Sequence, residues 1–233
     1  MKLKKIGIQF LTYFLVLGAF TAATYWGSRA VSVVAQMIPL ERDHTIIVDA
    51  GHGGEDGGAT SCTGKLESAF NLEIALKLDD LMHLLGYDTV MIRTTDRSVY
   101  TQGDTIAAKK VSDLKERVRI VNETEHAVLV SIHQNTFSDG RYSGAQVFYG
   151  PEGESQKLAT ALQTAFCQTL NPGSSRKCKK ADNVYLMQHI DCTGVLVECG
   201  FLSNSEEATR LGDPEYQKQI ALLIFLAIME AQG

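Results

Sequence analysis

Three short apolar segments of this chain, each rich in β-branched residues, run into an ionisable residue: His52, His133 and Glu198. Segments of this kind are typical of buried strands in a parallel or mixed sheet. The carboxyl ends of parallel strands meet at one edge of the sheet, and open α/β sheets bind their ligands in the crevice beyond that edge. The pattern therefore predicts two imidazoles and a carboxylate on one rim, which are the parts of a catalytic metal site.

Size and composition limit the classes of protein that this chain can represent. With 233 residues, of which 45% are hydrophobic, it is large enough for one α/β domain with a sizeable core. The net charge of −5 argues against nucleic acid as a partner, because phosphate binding usually requires a basic face. We therefore expect a single catalytic domain that binds no nucleic acid.

The N-terminal residues form a separate unit of the sequence. Residues 6–27 carry no charge and follow Lys2, Lys4 and Lys5. About 20 apolar residues span a bilayer, and basic residues in front of such a stretch keep that end in the cytoplasm, so we expect export of the rest. The length favours a membrane anchor that is not cleaved, and a cleaved signal peptide is the alternative. The predicted ranges are 1–28 for the signal-anchor or signal peptide, 29–43 for a tether and 44–233 for the catalytic domain.

Helical and strand-like patterns alternate along the rest of the chain. Strands are predicted over 45–50, 87–93, 127–132, 144–149 and 195–197, and helices over 66–85, from about 112, over 155–170 and over about 215–229. Strands that alternate with helices indicate an α/β domain with a mostly parallel or mixed central sheet and helices on both faces. Residues 94–110 and 171–181 are predicted to be loops.

The five cysteines predict no metal site of their own. Their number is odd, so a monomer keeps at least one of them unpaired, and no Cys-x-x-Cys pair is present. Cys199 is predicted to be a small buried side chain, and a Cys167–Cys178 disulfide is an alternative for two of the others. The basic stretch 176–180 is predicted to be a solvated loop, with contact to an anionic polymer or a partner protein as the alternative.

His52 and His133 are the best candidates for metal ligands among the six histidines, because both follow predicted strands and have glycine or asparagine neighbours. Catalytic zinc typically takes three protein ligands and leaves one position open. Periodicity alone ranks Glu67, Asp49 and Asp56 almost equally as the third ligand. An acidic residue in a first helical turn, such as Glu67, also has a purely electrostatic explanation.

Glu198 is a candidate for a different role. It follows an apparent core strand, where burial of an unpaired carboxylate is costly. A carboxylate beside a metal-activated water can accept the proton of that water. The position therefore predicts a general base.

Four blocks of the sequence stand out together, namely 48–59, 64–67, 131–135 and 197–204, and segments around Arg93, Arg117 and Asn122 lie between them. These blocks and segments resemble those of the zinc-dependent N-acetylmuramoyl-L-alanine amidases. The resemblance spans 44–232 in order and implies hydrolysis of the amide between N-acetylmuramic acid and L-alanine in peptidoglycan. It also implies one Zn²⁺ per chain on His52, Glu67 and His133, with Glu198 as the catalytic glutamate. Ser68 is a departure, since the family commonly has lysine there.

The segments 184–187 and 198–204 are similar to those of the spore-cortex amidases within this family. In that subgroup, removal of the stem peptide precedes formation of muramic lactam, so the resemblance implies a role in cortex maturation. Asp49 and Asn135 are predicted to be polar groups that orient the ligands of the site.

The expected partners are a peptidoglycan glycan strand with its stem peptide and, through residues 6–27, the membrane. The loop 94–110 is a candidate wall of the glycan cleft, and a regulatory protein partner is left open. One alternative function is a zinc peptidase that cuts stem peptides. The other is a wall-binding module without catalysis, which the complete set of ligands and base disfavours.

Overall fold

The structure is a computed structural model that describes residues 44–232. The predicted signal or anchor segment, 1–28, and the predicted tether, 29–43, lie outside the described residues. In chain order, the elements are β1 (Thr45–Ala50), α1 (Glu67–Leu84), β2 (Thr89–Met91), α2 (Ile106–Glu123), β3 (Ala127–Asn135), β4 (Gln146–Tyr149), α3 (Glu154–Thr169), β5 (Lys179–Lys180), α4 (Tyr185–His189), β6 (Thr193–Phe201), α5 (Ser205–Leu211) and α6 (Pro214–Gln232).

The strands form one mixed sheet in the order β2-β1-β3-β6-β4-β5. β1 is parallel to β2 and β3, and β3 is parallel to β6, whereas β4 runs antiparallel to β6. Since β1, β3 and β6 are parallel neighbours, their carboxyl ends meet at one edge of the sheet. His133 on β3 is the register partner of Glu198 on β6. The predicted α/β class with a mostly parallel, mixed sheet is confirmed.

Two apolar clusters cover the two faces of the sheet, because successive strand residues point to opposite faces. Ile46 and Val48 of β1 belong to the larger cluster, and Ile47 between them belongs to the smaller one. Helices α1, α3 and α6 complete the larger cluster, and α2 and α4 complete the smaller one. The predicted placement of helices on both faces is therefore confirmed.

Helix α2 begins earlier than predicted, at Ile106 instead of near residue 112. The Thr105 side chain caps it by accepting a hydrogen bond from the Ala108 amide at 3.2 Å. The first residues of α2 are exposed and carry no apolar periodicity, which explains the wrong boundary. The predicted loop 94–110 is correspondingly shorter.

Several strand boundaries also differ from the prediction. β3 and β6 continue for two and three residues beyond His133 and Glu198, so these side chains lie within strands and not after them. β2 is shorter than the predicted 87–93, and β5 lies inside the predicted loop 171–181. The short helices α4 and α5 were not predicted, since five and seven residues are too few for a periodic signal.

The cysteines, all within the described residues, are free thiols, so the alternative Cys167–Cys178 disulfide is not formed. Cys199 is buried, as predicted. The basic stretch is only partly solvated, because Arg176 is half-buried and donates to the Ser143 carbonyl at 3.0 Å. Within residues 44–232, no helix has both the length and the apolar character required to cross a membrane.

Candidate metal and catalytic site

The first candidate ligand, His52, lies in the loop that follows β1. Its φ of 62° is a left-handed conformation that non-glycine residues rarely adopt and that surrounding contacts must stabilise. Two buried arginines supply such contacts. Arg117 donates to the His52 carbonyl at 2.8 Å, and Arg93 donates to the Gly51 carbonyl at 3.0 Å. Both arginines also donate to the carbonyl of Ala50, so two guanidinium groups hold the turn that presents this imidazole.

The second candidate ligand, Glu67, is the buried first residue of α1. Arg93 connects this turn to the loop that carries His52, because it also donates to the Ser68 carbonyl at 2.8 Å. The Glu67 carboxylate accepts hydrogen bonds from the backbone amides of Ala59 at 3.0 Å and Gln134 at 3.2 Å. The position and the charge of this carboxylate are therefore set by backbone donors on two different segments.

Both imidazoles converge on the Glu67 carboxylate. His133 Nδ1 lies 3.0 Å and His52 Nε2 lies 3.3 Å from Glu67 Oε1. One ligand atom from each of the three residues lies within 4.8 Å of the other two. Glycines make room for this arrangement, since a Cβ on Gly51 would lie 2.2 Å from the His133 ring and one on Gly58 would lie 2.6 Å from Glu67 Oε2.

The chemistry of this donor set fits zinc, which takes imidazole nitrogens and carboxylate oxygens in catalytic sites. His52 Nδ1 lies 2.9 Å from Asp56 Oδ2, and an ionised carboxylate only accepts, so Nδ1 carries a hydrogen and, in the neutral ring, Nε2 has the lone pair that a metal would take. Burial alone would lower the pKa of His52, but Glu67 and Asp56 raise it above the usual value. Burial also opposes ionisation of Glu67, yet the two imidazoles hold its pKa well below the usual range.

The candidate base, Glu198, lies beside this cluster in a different environment. It is the register partner of His133, and its Oε2 atom is buried without a hydrogen-bond partner. Within residues 44–232, only one other buried side-chain oxygen or nitrogen atom, on Gln134, lacks a partner. Burial raises the pKa of Glu198 to about 7, against the opposing effect of the His133 ring. Because an unpartnered buried oxygen is costly, this atom indicates a place for a water or a ligand.

The two residues predicted to orient the site have different surroundings. Asp49 forms a buried ion pair with Arg117 and accepts a hydrogen bond from Ser131 Oγ at 2.7 Å. Burial alone would raise the pKa of Asp49, but Arg117 and Ser131 lower it. Asp49 thus acts on the arginine that supports His52 and is not one of the three clustered candidate ligands. Asn135 ends β3, where its carbonyl accepts from the Leu202 amide at 2.8 Å, and an orienting role for its side chain stays a prediction.

Sequence reasoning missed two buried side-chain amides that lie behind the candidate ligands. Asn71 Nδ2 lies 3.1 Å from the Gly51 carbonyl and 3.4 Å from Glu67 Oε1, and Gln134 Nε2 donates to Asn71 Oδ1 at 3.2 Å. Asn71 follows Glu67 by four residues, and this spacing, which places both on one helix face, was the available signal. Asp56, one of the alternatives for the carboxylate ligand, is instead the hydrogen-bond partner of the first histidine.

Comparison with known proteins identifies the family. Residues 46–230 match the N-acetylmuramoyl-L-alanine amidase family. Over 187 residues the chain is 38% identical to the germination-specific N-acetylmuramoyl-L-alanine amidase of Bacillus subtilis (strain 168), which covers 79% of this chain and 78% of that protein. The chain therefore belongs to the N-acetylmuramoyl-L-alanine amidase family, and the resemblance predicted from the four blocks is confirmed.

Solved structures of amidases share the fold. The CwlD amidase from Clostridioides difficile, solved in complex with the GerS lipoprotein, matches with a TM-score of 0.77 and 36% identity over 81% of this chain and 98% of that chain. An N-acetylmuramoyl-L-alanine amidase from Clostridium difficile 630 matches with a TM-score of 0.70 and 27% identity over 82% and 97%. The enzyme described here is accordingly an amidase that acts on peptidoglycan.

Proposed function

We propose that this amidase is zinc-dependent and that His52, Glu67 and His133 bind one Zn²⁺ per chain. The observation that carries the proposal is the convergence of one ligand atom from each residue within 4.8 Å. Zinc supplies Lewis-acid chemistry, because it lowers the pKa of a water toward 7 and polarises a carbonyl oxygen. The protein supplies the fixed positions of the ligands through Arg93, Arg117 and the backbone amides around Glu67.

Glu198 serves in this proposal as the general base and then the general acid. Its carboxylate accepts a proton from the attacking water while the water oxygen bonds to the lactyl carbonyl carbon of N-acetylmuramic acid. It then donates that proton to the L-alanine nitrogen as the carbon–nitrogen bond breaks. The products are the free lactyl carboxyl group and a stem peptide with a free amino end. The buried Oε2 atom supports this role, because no hydrogen bond within the protein competes for it.

The enzyme acts, in this proposal, in spore-cortex maturation, where loss of the stem peptide precedes formation of muramic lactam. The identity to a germination-specific amidase and the similarity to CwlD support this role. Export and membrane attachment through residues 6–27 belong to the same proposal, since the uncharged stretch follows three lysines. A protein partner is motivated by the GerS lipoprotein in the CwlD complex.

Mass spectrometry of peptidoglycan digested with the full-length enzyme tests the reaction. We expect intact stem peptides that begin with L-alanine and glycan strands with unsubstituted muramic acid. A chelator should stop their release and added zinc should restore it. Fragments cut within the stem peptide would identify a peptidase, and release that resists the chelator would contradict zinc dependence.

The cortex role is tested in a spore-forming host that lacks its own cortex amidase. Expression of this chain should restore muramic lactam in the spores, and the Glu198→Gln variant should not. Spores that remain without lactam despite an active, exported enzyme would contradict the cortex role and leave the amidase reaction intact.

A further inference from the structure

An exposed aromatic surface lies on the loop between β3 and β4. The side chains of Phe137 and Tyr142 are 51% and 48% exposed, and their ring centroids lie 4.7 Å apart at an interplanar angle of 66°. The buried ring of Phe201 lies 6.2 Å from Tyr142. We call these three rings the aromatic shelf. Exposed large apolar side chains that are grouped on one surface mark binding sites more often than isolated ones do.

The loop that carries the aromatic shelf is packed against the segment that follows β6. The Phe137 amide donates to Ser203 Oγ at 3.1 Å, and Asn204 Nδ2 donates to the Gly140 carbonyl at 2.9 Å. The approach is close, since a Cβ on Gly140 would lie 2.9 Å from the Ser203 carbonyl. The backbone that carries Phe137 is thus held in position before a ligand arrives, which reduces the entropy cost of binding.

The aromatic shelf continues the edge of the sheet that carries the candidate site. In the register of β3 and β6, His133 pairs with Glu198, and the next pair along the strands, after a local irregularity in β3, is Asn135 with Phe201. At about 3.3 Å per residue, that pair lies roughly 7–10 Å further along the strands. The aromatic shelf therefore lies on the same edge as the candidate site, at a separation that a sugar next to a bound muramic acid can span.

We propose that the aromatic shelf binds the sugar ring next to the muramic acid that is cleaved, so that the enzyme recognises the glycan strand as well as the amide. The inference rests on the proposed function, which places the reaction at His52, Glu67 and His133. Pyranose rings present apolar C–H faces, and such faces pack well on exposed aromatic rings. A second sugar ring would thus cover apolar surface that is exposed in the free enzyme.

The charges around the aromatic shelf favour the glycan over the stem peptide as its occupant. Stem peptides carry carboxylates, which are recognised best by arginines that are free to pair with them. Arg141 already pairs with Asp139 at 2.7 Å. Arg176 donates to the Ser143 carbonyl and lies 5.5 Å from the centre of the Phe201 ring. Both arginines beside the shelf thus already have a partner within the protein, and the apolar rings are the surface that the shelf itself offers to a ligand.

Kinetics of the full-length enzyme on two substrates test the inference. One substrate is soluble peptidoglycan strands, and the other is N-acetylmuramoyl-L-alanine, which has no neighbouring sugar. Phe137→Ala and Tyr142→Ala should each lower the ratio of kcat/KM for strands to that for the monosaccharide by about 3- to 10-fold, mainly through KM. Phe137→Tyr keeps a ring and should restore the ratio. Leu222→Ala, which truncates an exposed leucine on α6, is the matched control and should leave the ratio unchanged.

The results that would overturn the inference are separable from failure of the proposed function. An unchanged ratio in both alanine variants, with a wild-type enzyme that cleaves both substrates, overturns the role of the shelf and leaves the reaction intact. A zinc-loaded wild-type enzyme that cleaves neither substrate overturns both the proposed function and the role of the shelf.

A binding measurement that needs no turnover completes the test. The Glu198→Gln protein should bind peptide-free glycan strands, and adding Phe137→Ala should weaken that binding by about 3- to 10-fold. If both proteins bind the glycan with equal affinity and the added Phe137→Ala instead abolishes binding of a protein partner, the shelf is a protein interface and the inference is wrong.

Discussion

Glu67 and Glu198 are two carboxylates at one edge of the same sheet, and their surroundings differ in almost every respect. Glu67 accepts hydrogen bonds from two backbone amides and lies within 3.3 Å of both imidazoles. Glu198 has a buried oxygen with no hydrogen-bond partner. The imidazoles hold the pKa of Glu67 well below its usual range, whereas burial of its carboxylate raises the pKa of Glu198 to about 7. Environments that separate the pKa values of two neighbouring carboxylates suit them to different roles.

The contrast teaches that the partners of a carboxylate, and not its residue type, decide what it can do. A carboxylate surrounded by donors stays an anion and suits metal binding. One that is buried with a free oxygen is closer to its protonation equilibrium and suits proton transfer. Both residues are glutamates, so the difference comes from the first turn of α1 in one case and from the interior of β6 in the other.

Among changes to Glu67 and the residues around it, Glu67→Gln is expected to have the largest effect. Glutamine keeps the shape but loses the charge that three donors and two imidazoles surround, so zinc should be lost and turnover should fall by about 10³-fold or more. Metal analysis and amidase assays on the same preparation check this. Glu73→Gln on the same helix is the control, because Glu73 pairs with Lys65 away from the ligands. Stoichiometric zinc in Glu67→Gln would show that this carboxylate is not a ligand.

The Asp49→Asn variant tests whether the buried carboxylate of Asp49, at the same edge of the sheet, contributes to the stability of the fold and not to the reaction itself. The change leaves Arg117 buried without one of its two charge partners, so the free energy of unfolding should drop by about 3 kcal/mol, measured by urea denaturation. The pKa of Asp49 is lowered in the folded state, so its contribution is complete above its unfolded pKa of about 3.9 and is lost as the pH falls below that value. Asp80→Asn, at an exposed position of α1, should change the free energy of unfolding little. An equal loss in this variant would contradict the role of Asp49 as the stabilising partner of Arg117.

Asp56 belongs to the same surroundings through its contact with His52, and Asp56→Ala should have a smaller effect than Glu67→Gln. The carboxylate orients His52 through its Nδ1 atom, and loss of such a partner weakens zinc binding by about 10- to 100-fold. Competition with a chromogenic chelator measures this affinity. Glu55→Ala is a close control, because Glu55 pairs with Lys109 at the surface. Equal affinities in the two variants would mean that Asp56 does not orient the ligand.

The sequence predicted the larger features because they depend on local patterns. The β-branched segments and the three-to-four spacing predicted the strands and long helices that carry the site, and the fold class followed from their alternation. The exposed first turn of α2 and the continuation of β6 past Glu198 were missed. These features depend on the Thr105 cap and on pairing with β3, and neither leaves a hydrophobic period in the sequence.

The residues of the candidate site could be predicted from the sequence, but the contacts between them could not. Periodicity left Glu67, Asp49 and Asp56 almost equal, and only the resemblance to the amidases separated them. The structure shows why they differ, since Asp49 faces Arg117 and Asp56 faces one nitrogen of His52. Contacts of this kind join residues from distant parts of the chain, so no local spacing reports them.

The most direct test of the different roles of Glu67 and Glu198 is the Glu198→Gln variant, with zinc content and amidase turnover measured on one preparation of the full-length enzyme. Glutamine keeps the shape of the side chain but cannot accept a proton from water. Turnover should fall by about 10²- to 10⁴-fold, while zinc stays near one equivalent per chain and the unfolding midpoint changes little. Near-normal turnover would contradict the role of Glu198 as the base, and loss of zinc would show that it is a ligand and that the two carboxylates do not divide their roles as described.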